Sequence, residues 1–239
     1  MSRRYLVTGA TSGVGRELVR TIYDADPDAS VIVVGRDRVR LASAVAFRAG
    51  SDACVMDFDH MEPIDVTTLL RSQGPFDGIF HGAGSELILP LRLTDDARYR
   101  QTMRYADSTF AILRAAASKG VLNEGSGVVI MSSVAAGRGT AGMACYGAAR
   151  AAVESMVRVA ARELAPRRIR VNALAAGAFK SALHDRLVSR MPEASLAAYE
   201  AAHPLGFGTA ADVAETAFYL LNAPWVTGTT VTVDGGLSA

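Results

Sequence analysis

The stretch Thr8-Gly9-Ala10-Thr11-Ser12-Gly13-Val14-Gly15 follows a short apolar run at 5–7 and opens a helical pattern at 15–24. Glycine at the first position permits a tight turn. The later glycines let backbone N–H groups and the positive end of a helix meet a pyrophosphate closely. A plain strand-to-helix turn is the competing reading, and the position at the first βα junction disfavours it.

Working outward, apolar runs recur at 31–34, 53–56, 78–81, 128–131, 169–174 and 230–233. They are short, β-branched and not alternating, as expected of strands buried on both faces. Helical patterns lie between them at 38–48, 64–73, 95–118, 146–164 and 210–221. Such alternation predicts right-handed βαβ units, and so an α/β, Rossmann-like, doubly wound parallel sheet with helices on both faces. Its ligand crevice lies beyond the carboxyl ends of the strands, which is where the motifs described below fall. With 239 residues, half of them hydrophobic, and no dividing low-complexity stretch, a single domain spanning 1–239 is expected.

Twenty-five basic against 24 acidic residues give a formal charge of +1. Nothing in that balance calls for nucleic acid or an anionic membrane, so a small-molecule partner is expected. Cys54 and Cys145 are far apart without metal-ligand spacing, so they are read as packing residues in a reducing compartment, with no metal. No secretory leader is recognisable and no window approaches about 18 apolar residues, so a cytoplasmic protein is expected.

After the second predicted strand the chain reads Gly35-Arg36-Asp37-Arg38. A carboxylate at the strand end would accept from a ribose 2′-hydroxyl; Gly35 stands there instead, with Arg36 next. That arrangement favours a 2′-phosphate and therefore NADP(H), with Arg38 or Arg40 assisting. Arg40 also reads as a solvated helix charge. Asp57, with Phe58 beside it, is placed to accept from an adenine amino group. His81-Gly82-Ala83-Gly84 closes strand four, where Gly82, Ala83 and Gly84 allow close backbone approach to a coenzyme. His81 itself reads as a satisfied core histidine.

Ser133 closes strand five, and Tyr146 follows thirteen residues later at the start of a long helix. Reducing a ketone needs hydride on carbon and a proton on oxygen. A free phenol titrates near pH 10, and a cation one helical turn away favours its phenolate. Arg150 supplies that cation. Ser133 would orient the substrate oxygen, while Ser132 is expected to satisfy backbone.

With these residues in place, the chain resembles the short-chain dehydrogenase/reductases, most closely the 3-oxoacyl-acyl-carrier-protein reductase group. The resemblance rests on Thr8–Gly15, Asp57, His81–Gly84, Ser133, Tyr146, Val171-Asn172-Ala173 and Val233-Asp234-Gly235-Gly236. It implies that Gly9, Thr11, Ser12, Gly13, Val14, Gly15, Gly177 and Phe179 contact the coenzyme together with Tyr146 and Arg150. It further implies a site of serine, tyrosine, lysine and asparagine, and a homotetramer or dimer. Arg150 stands in place of the lysine and Tyr105 in place of the asparagine. The family's Pro-Gly after strand six is Ala176-Gly177, and its following threonine is Ser181. Arginine keeps the charge but cannot relay a proton. Tyr105, bulkier than asparagine, is expected to displace the water of the family's proton wire.

The expected activity is an NADPH-dependent ketoreductase acting on a carbonyl such as a 3-oxoacyl thioester, linked to coenzyme A or a carrier protein. The alternative is a catalytically silent nucleotide-binding subunit or sensor. Residues 179–204 form the expected substrate lid, helical in pattern through 203, with Leu183, Leu187, Val188, Met191, Leu196 and Tyr199 apolar. Arg167, Arg168 and Arg170 form a basic cluster that reads either as a carrier-protein dock or as solvated surface. The apolar run 225–233 and Leu237 suggest a homo-oligomer interface.

Overall fold

The apolar runs become β1 (Arg4–Thr8), β2 (Ser30–Gly35), β3 (Asp52–Val55), β4 (Phe76–His81), β5 (Leu122–Ser133) and β6 (Arg170–Ala176). Two short strands follow, β7 (Phe179–Lys180) and β8 (Gly208–Thr209), and then β9 (Thr230–Val233). The helices are α1 (Gly13–Ala25), α2 (Arg38–Val45), α3 (Pro63–Gln73), α4 (Asp96–Ala117), α5 (Ala144–Leu164), α6 (Glu193–Ala201) and α7 (Ala210–Asn222). The structure is a computed structural model and describes residues 2–239 except 12, 46–51, 56–62, 85–86, 182–183, 186–187 and 190.

Seven strands form one parallel sheet in the order β3-β2-β1-β4-β5-β6-β9, as the alternation predicts. From β1 the chain steps outward through β2 to β3, then returns to β4 on the other side of β1. The order therefore reverses between β1 and β4, and the crevice opens beyond Thr8 and His81, a paired couple in the ladder. α1 and α7 pack together on one face; α3, α4 and α5 pack together on the other. Covered on both sides, β6 is buried along its whole length. Each fully buried Val, Leu or Ile contributes about 1.5–3 kcal/mol of transfer free energy.

The start of β5 departs from the sequence reading. β5 begins at Leu122 rather than 128, because Leu122 pairs with Phe76 before a bulge brings Gly127 opposite Gly78. Ser126 stabilises the bulge, its hydroxyl lying 2.9 Å from the Phe76 carbonyl and 2.6 Å from that of Asn123. The polar stretch Asn123-Glu124-Gly125-Ser126 conceals this pairing from apolar periodicity. The helix expected at 38–48 is described only through Val45.

The supposed basic patch is mostly internal. Arg170 is buried and donates to the carbonyls of Leu220, Ala223, Leu221 and Gly125 at 2.8–3.3 Å. It thereby ties the end of α7 to the sheet, where the orphan carbonyls and helix dipole favour a cation. Arg167 does the same for α4, donating to Ala116, Ala117 and Leu122. Only Arg168 of the three is exposed.

Candidate active site

Gly9, at φ 75°, packs its backbone against the end of β4: a Cβ there would lie 2.8 Å from the Gly82 carbonyl carbon. A Cβ on Gly15 would lie 2.6 Å from the Gly9 oxygen. The turn is therefore closed too tightly for alanine at either position. Gly13 has φ 57° and open space beside its Cα, and the first turn of α1 carries no acidic side chain. A positive helix end with no acidic residue in its first turn and open space beside Gly13 fits the pyrophosphate of a dinucleotide.

Thr8 shapes the opposite wall. Its Oγ1 accepts from the Gly82 and Ala83 N–H groups at 3.1 and 3.2 Å, so its own hydrogen is left for His81 Nδ1, 2.8 Å away. That fixes the tautomer: Nε2–H donates to Ser108 Oγ at 3.1 Å, and Ser108 donates to the Tyr105 carbonyl at 3.0 Å. Burial, reinforced by the charge of Arg150, pulls the His81 pKa down to about 3. His81 is thus a neutral core histidine, as the sequence suggests, and the polar chain it belongs to ties the ends of β1 and β4 to α4.

Gly35 ends β2, and a Cβ there would meet Leu41 Cδ2 at 3.2 Å and Thr11 Cγ2 at 3.6 Å. Thr11 and Gly35 thus face one another at the crevice, with Arg36 exposed beside them. Asp37 is occupied as a helix cap, accepting from the Val39 and Arg40 N–H groups. Ser12, Asp57 and Phe58 lie outside the described residues, as does the side chain of Arg38. Gly177 donates to the Val233 carbonyl at 2.9 Å just past β6, and Phe179 opens β7, partly buried against the core. Val14 is buried under the glycine turn.

Ser133 is the last residue of β5, and its Oγ accepts from the Ala135 N–H at 3.2 Å as the cap of a one-turn 3-10 helix at Val134–Ala136. Tyr146 lies in the first turn of α5, half-buried, with Arg150 one turn further and buried. The Arg150 Cζ sits 5.0 Å from the Tyr146 ring centroid and 3.7 Å from that of Tyr105. Arg150 Nη1 donates to the Met131 carbonyl at 2.7 Å, and the Tyr105 hydroxyl donates to the same oxygen at 2.6 Å, with the His81 carbonyl 3.1 Å away. Burial works against the guanidinium charge, but attraction to Tyr146 and Tyr105 outweighs it and holds the pKa above its ordinary value. Burial likewise pushes Tyr105 up to about 12, against the opposing pull of Arg150. Tyr105 is therefore a neutral donor joining the ends of β4 and β5.

Ser132 departs from expectation. Its hydroxyl donates to Glu154 Oε1 at 2.6 Å, not to backbone, so α5 presents a carboxylate to the sheet two positions before Met156. Sequence spacing gives no sign of this pair, because the partners are 22 residues apart and neither belongs to a periodic motif.

Beside the site, a groove of about 480 Å³ is lined by Leu91, Ala135, Arg138, Met143, Gly147 and Ala151 among others. The loop that forms it is braced by Leu89 donating to Gly142 and by Arg138 donating to the Leu237 carbonyl. The chain after β6 is anchored by the parallel pair Phe179↔Gly208 and Lys180↔Thr209. His203, buried at its base, pairs through Nδ1 with the Tyr199 carbonyl and through Nε2 with the Ala178 N–H. α6 has no fully buried residue, so its apolar side chains stay out of the core. Leu183 and Leu187 lie outside the described residues.

The profile of a family described as Enoyl-(Acyl carrier protein) reductase matches residues 9–238. The chain belongs to the short-chain dehydrogenase/reductase family. An L-xylulose reductase of Bos taurus is 30% identical over 245 residues, covering 99% of this chain and 97% of the relative. The 3-oxoacyl-(acyl-carrier-protein) reductase FabG of Staphylococcus aureus is 29% identical over 246 residues, covering 99% and 98%. Among solved structures, a short-chain type dehydrogenase/reductase from Mycobacterium ulcerans superposes with a TM-score of 0.87 at 30% identity, covering 99% of this chain and 91% of that one. Another, a short chain dehydrogenase/reductase family protein, gives a TM-score of 0.86 at 28% identity, covering 99% and 98%. The protein is thus an oxidoreductase of CH–OH and C=O groups in a family that uses a nicotinamide cofactor. No described helix is long and apolar enough to cross a membrane.

Proposed function

We propose that the protein is an NADPH-dependent ketoreductase whose substrate is a 3-oxoacyl thioester. The observation that carries this reading is the placement of Tyr146 and buried Arg150 on adjacent turns of α5, next to the end of β5 where Ser133 stands. Gly9, Thr11, Gly13, Gly15, Gly82, Ala83 and Gly84 would hold the coenzyme, with Gly177 and Phe179 closing around it. NADPH, when bound, supplies the hydride for the new C–H bond. Tyr146 gives its hydroxyl proton to the carbonyl oxygen while Ser133 Oγ donates a hydrogen bond to that oxygen. Arg150 stabilises the phenolate left behind, and because a guanidinium stays protonated, the phenolate takes its next proton from solvent. Gly35 and exposed Arg36 support NADPH over NADH, since no carboxylate meets the 2′-phosphate.

The groove gives an acyl chain apolar contacts at Leu91, Ala135, Met143 and Ala151, with Arg138 and Thr140 available to its polar end. Residues 179–204 would cover it as a lid. Arg167 and Arg170 are committed to helix ends, so a carrier protein would find only Arg168 exposed in that cluster.

Titration with NADPH and NADH by nicotinamide fluorescence, followed by an acetoacetyl thioester, tests the reading. Oxidation of NADPH that falls about a hundredfold or more in Tyr146→Phe, with NADPH affinity kept, is the expected result. Tight NADPH binding without oxidation of any carbonyl tried would leave the silent nucleotide-binding subunit as the better description.

A further inference from the structure

A buried cation needs compensation, and Arg150 finds it without a carboxylate: no ion pair involves it among the described residues. Its partners are the Met131 carbonyl, the face of Tyr105 and the ring of Tyr146. Tyr105 comes from a different helix, the middle of α4, and is itself fixed by its bond to the same Met131 oxygen. A carbonyl has two lone pairs, so it can serve both donors. A planar guanidinium with its Cζ 3.7 Å from one ring centroid and an N–H on one carbonyl is held in orientation more narrowly than an ammonium on a flexible stem would be. Space for this packing exists because residue 84 is glycine: a Cβ there would lie 2.7 Å from Tyr105 Cδ2 and 3.2 Å from Arg150 Nη2.

We propose that Tyr105 is a positioning residue for the reaction, clamping the Arg150 guanidinium in one orientation beside Tyr146. This rests on the reading of Tyr146 as the acid. The titratable groups coupled to this cation among the described residues are His81 on β4, Tyr105 on α4 and Tyr146 on its own helix.

The test compares Tyr105→Met, which keeps bulk without a π face, with Tyr105→Phe, which keeps the ring. Two readouts are followed: the split between kcat and KM, and rescue by the variant that keeps the ring. In Tyr105→Met, kcat falls about tenfold with little change in KM, because the guanidinium loses the ring that orients it. In Tyr105→Phe most of that loss is recovered. A folded Tyr105→Met protein with kcat unchanged, or a loss that Tyr105→Phe does not recover, overturns the proposal. Should the Met variant not fold, Tyr105→Leu takes its place in the same comparison. Turnover retained in Tyr146→Phe would remove the ketoreductase reading instead, and is measured separately.

Discussion

Gly84 and Tyr105 are complementary: the missing side chain of one is the space occupied by the ring of the other, with a notional Cβ only 2.7 Å from Tyr105 Cδ2. Gly84→Ala therefore pushes against a ring that is stacked on Arg150 and on His81, the latter at 5.2 Å with planes 5° apart. The expected outcome is a loss of about 1–3 kcal/mol in urea unfolding, typical of overpacking, and a drop of about tenfold or more in kcat/KM. Steady-state kinetics beside equilibrium unfolding checks both.

Acid should unfold this protein earlier than its carboxylates alone would require. His81 is held near a pKa of about 3 in the fold, against an ordinary value of 6.5. Below 6.5 the unfolded chain binds a proton that the folded chain refuses until about 3. The stability contributed by the neutral ring is thus fully present above pH 6.5 and lost as pH falls through that window, at about 1.4 kcal/mol per pH unit. Urea midpoints measured from pH 7 to 4 should slope more steeply for the parent than for His81→Gln, and equal slopes would contradict the assignment.

Arg170→Ala leaves the carbonyls of Leu220, Leu221 and Ala223 without their donor. The expected cost is about 1–3 kcal/mol in unfolding free energy, the scale of leaving buried carbonyls unsatisfied, with NADPH affinity unchanged in the folded fraction. Chemical denaturation followed by nicotinamide fluorescence separates the two effects.

Gly35→Asp restores a carboxylate at the end of β2, at the modest expense of moving the flexible end of Leu41 from 3.2 Å. NADPH affinity should fall by about tenfold or more while NADH affinity rises, because the new anion repels the 2′-phosphate and accepts from the 2′-hydroxyl. Parallel fluorescence titrations with the two coenzymes measure the change, and unaltered preference would remove Gly35 and Arg36 from selectivity.

The sheet and its crevice were legible in the sequence because buried parallel strands are continuous apolar runs and because glycines mark the turn after β1. The positions of Ser133 at a strand end and of Tyr146 and Arg150 on one helix were legible by spacing. What spacing does not carry is contact across elements. Ser132 meets Glu154, Arg170 meets the end of α7, and Tyr105 meets Arg150, each through side chains set by helix packing. Arg167 and Arg170 look like a surface cluster in one dimension and turn out to cap two different helices. The first residues of β5 are polar and bulged, so apolar periodicity shows only its later part.

The parallel pair Phe179↔Gly208 and Lys180↔Thr209 brings two distant points of the chain side by side, and Leu205 donating to Gly235 adds a further tie. The segment between them is thus an interchangeable cassette plugged into one socket. Loop-closure entropy rises only by about 0.6 kcal/mol per doubling of length, so segments of different size and polarity can be grafted between residues 180 and 208 while the socket stays the same. The segment can be exchanged there without touching the strand ends that carry Ser133 and Thr8.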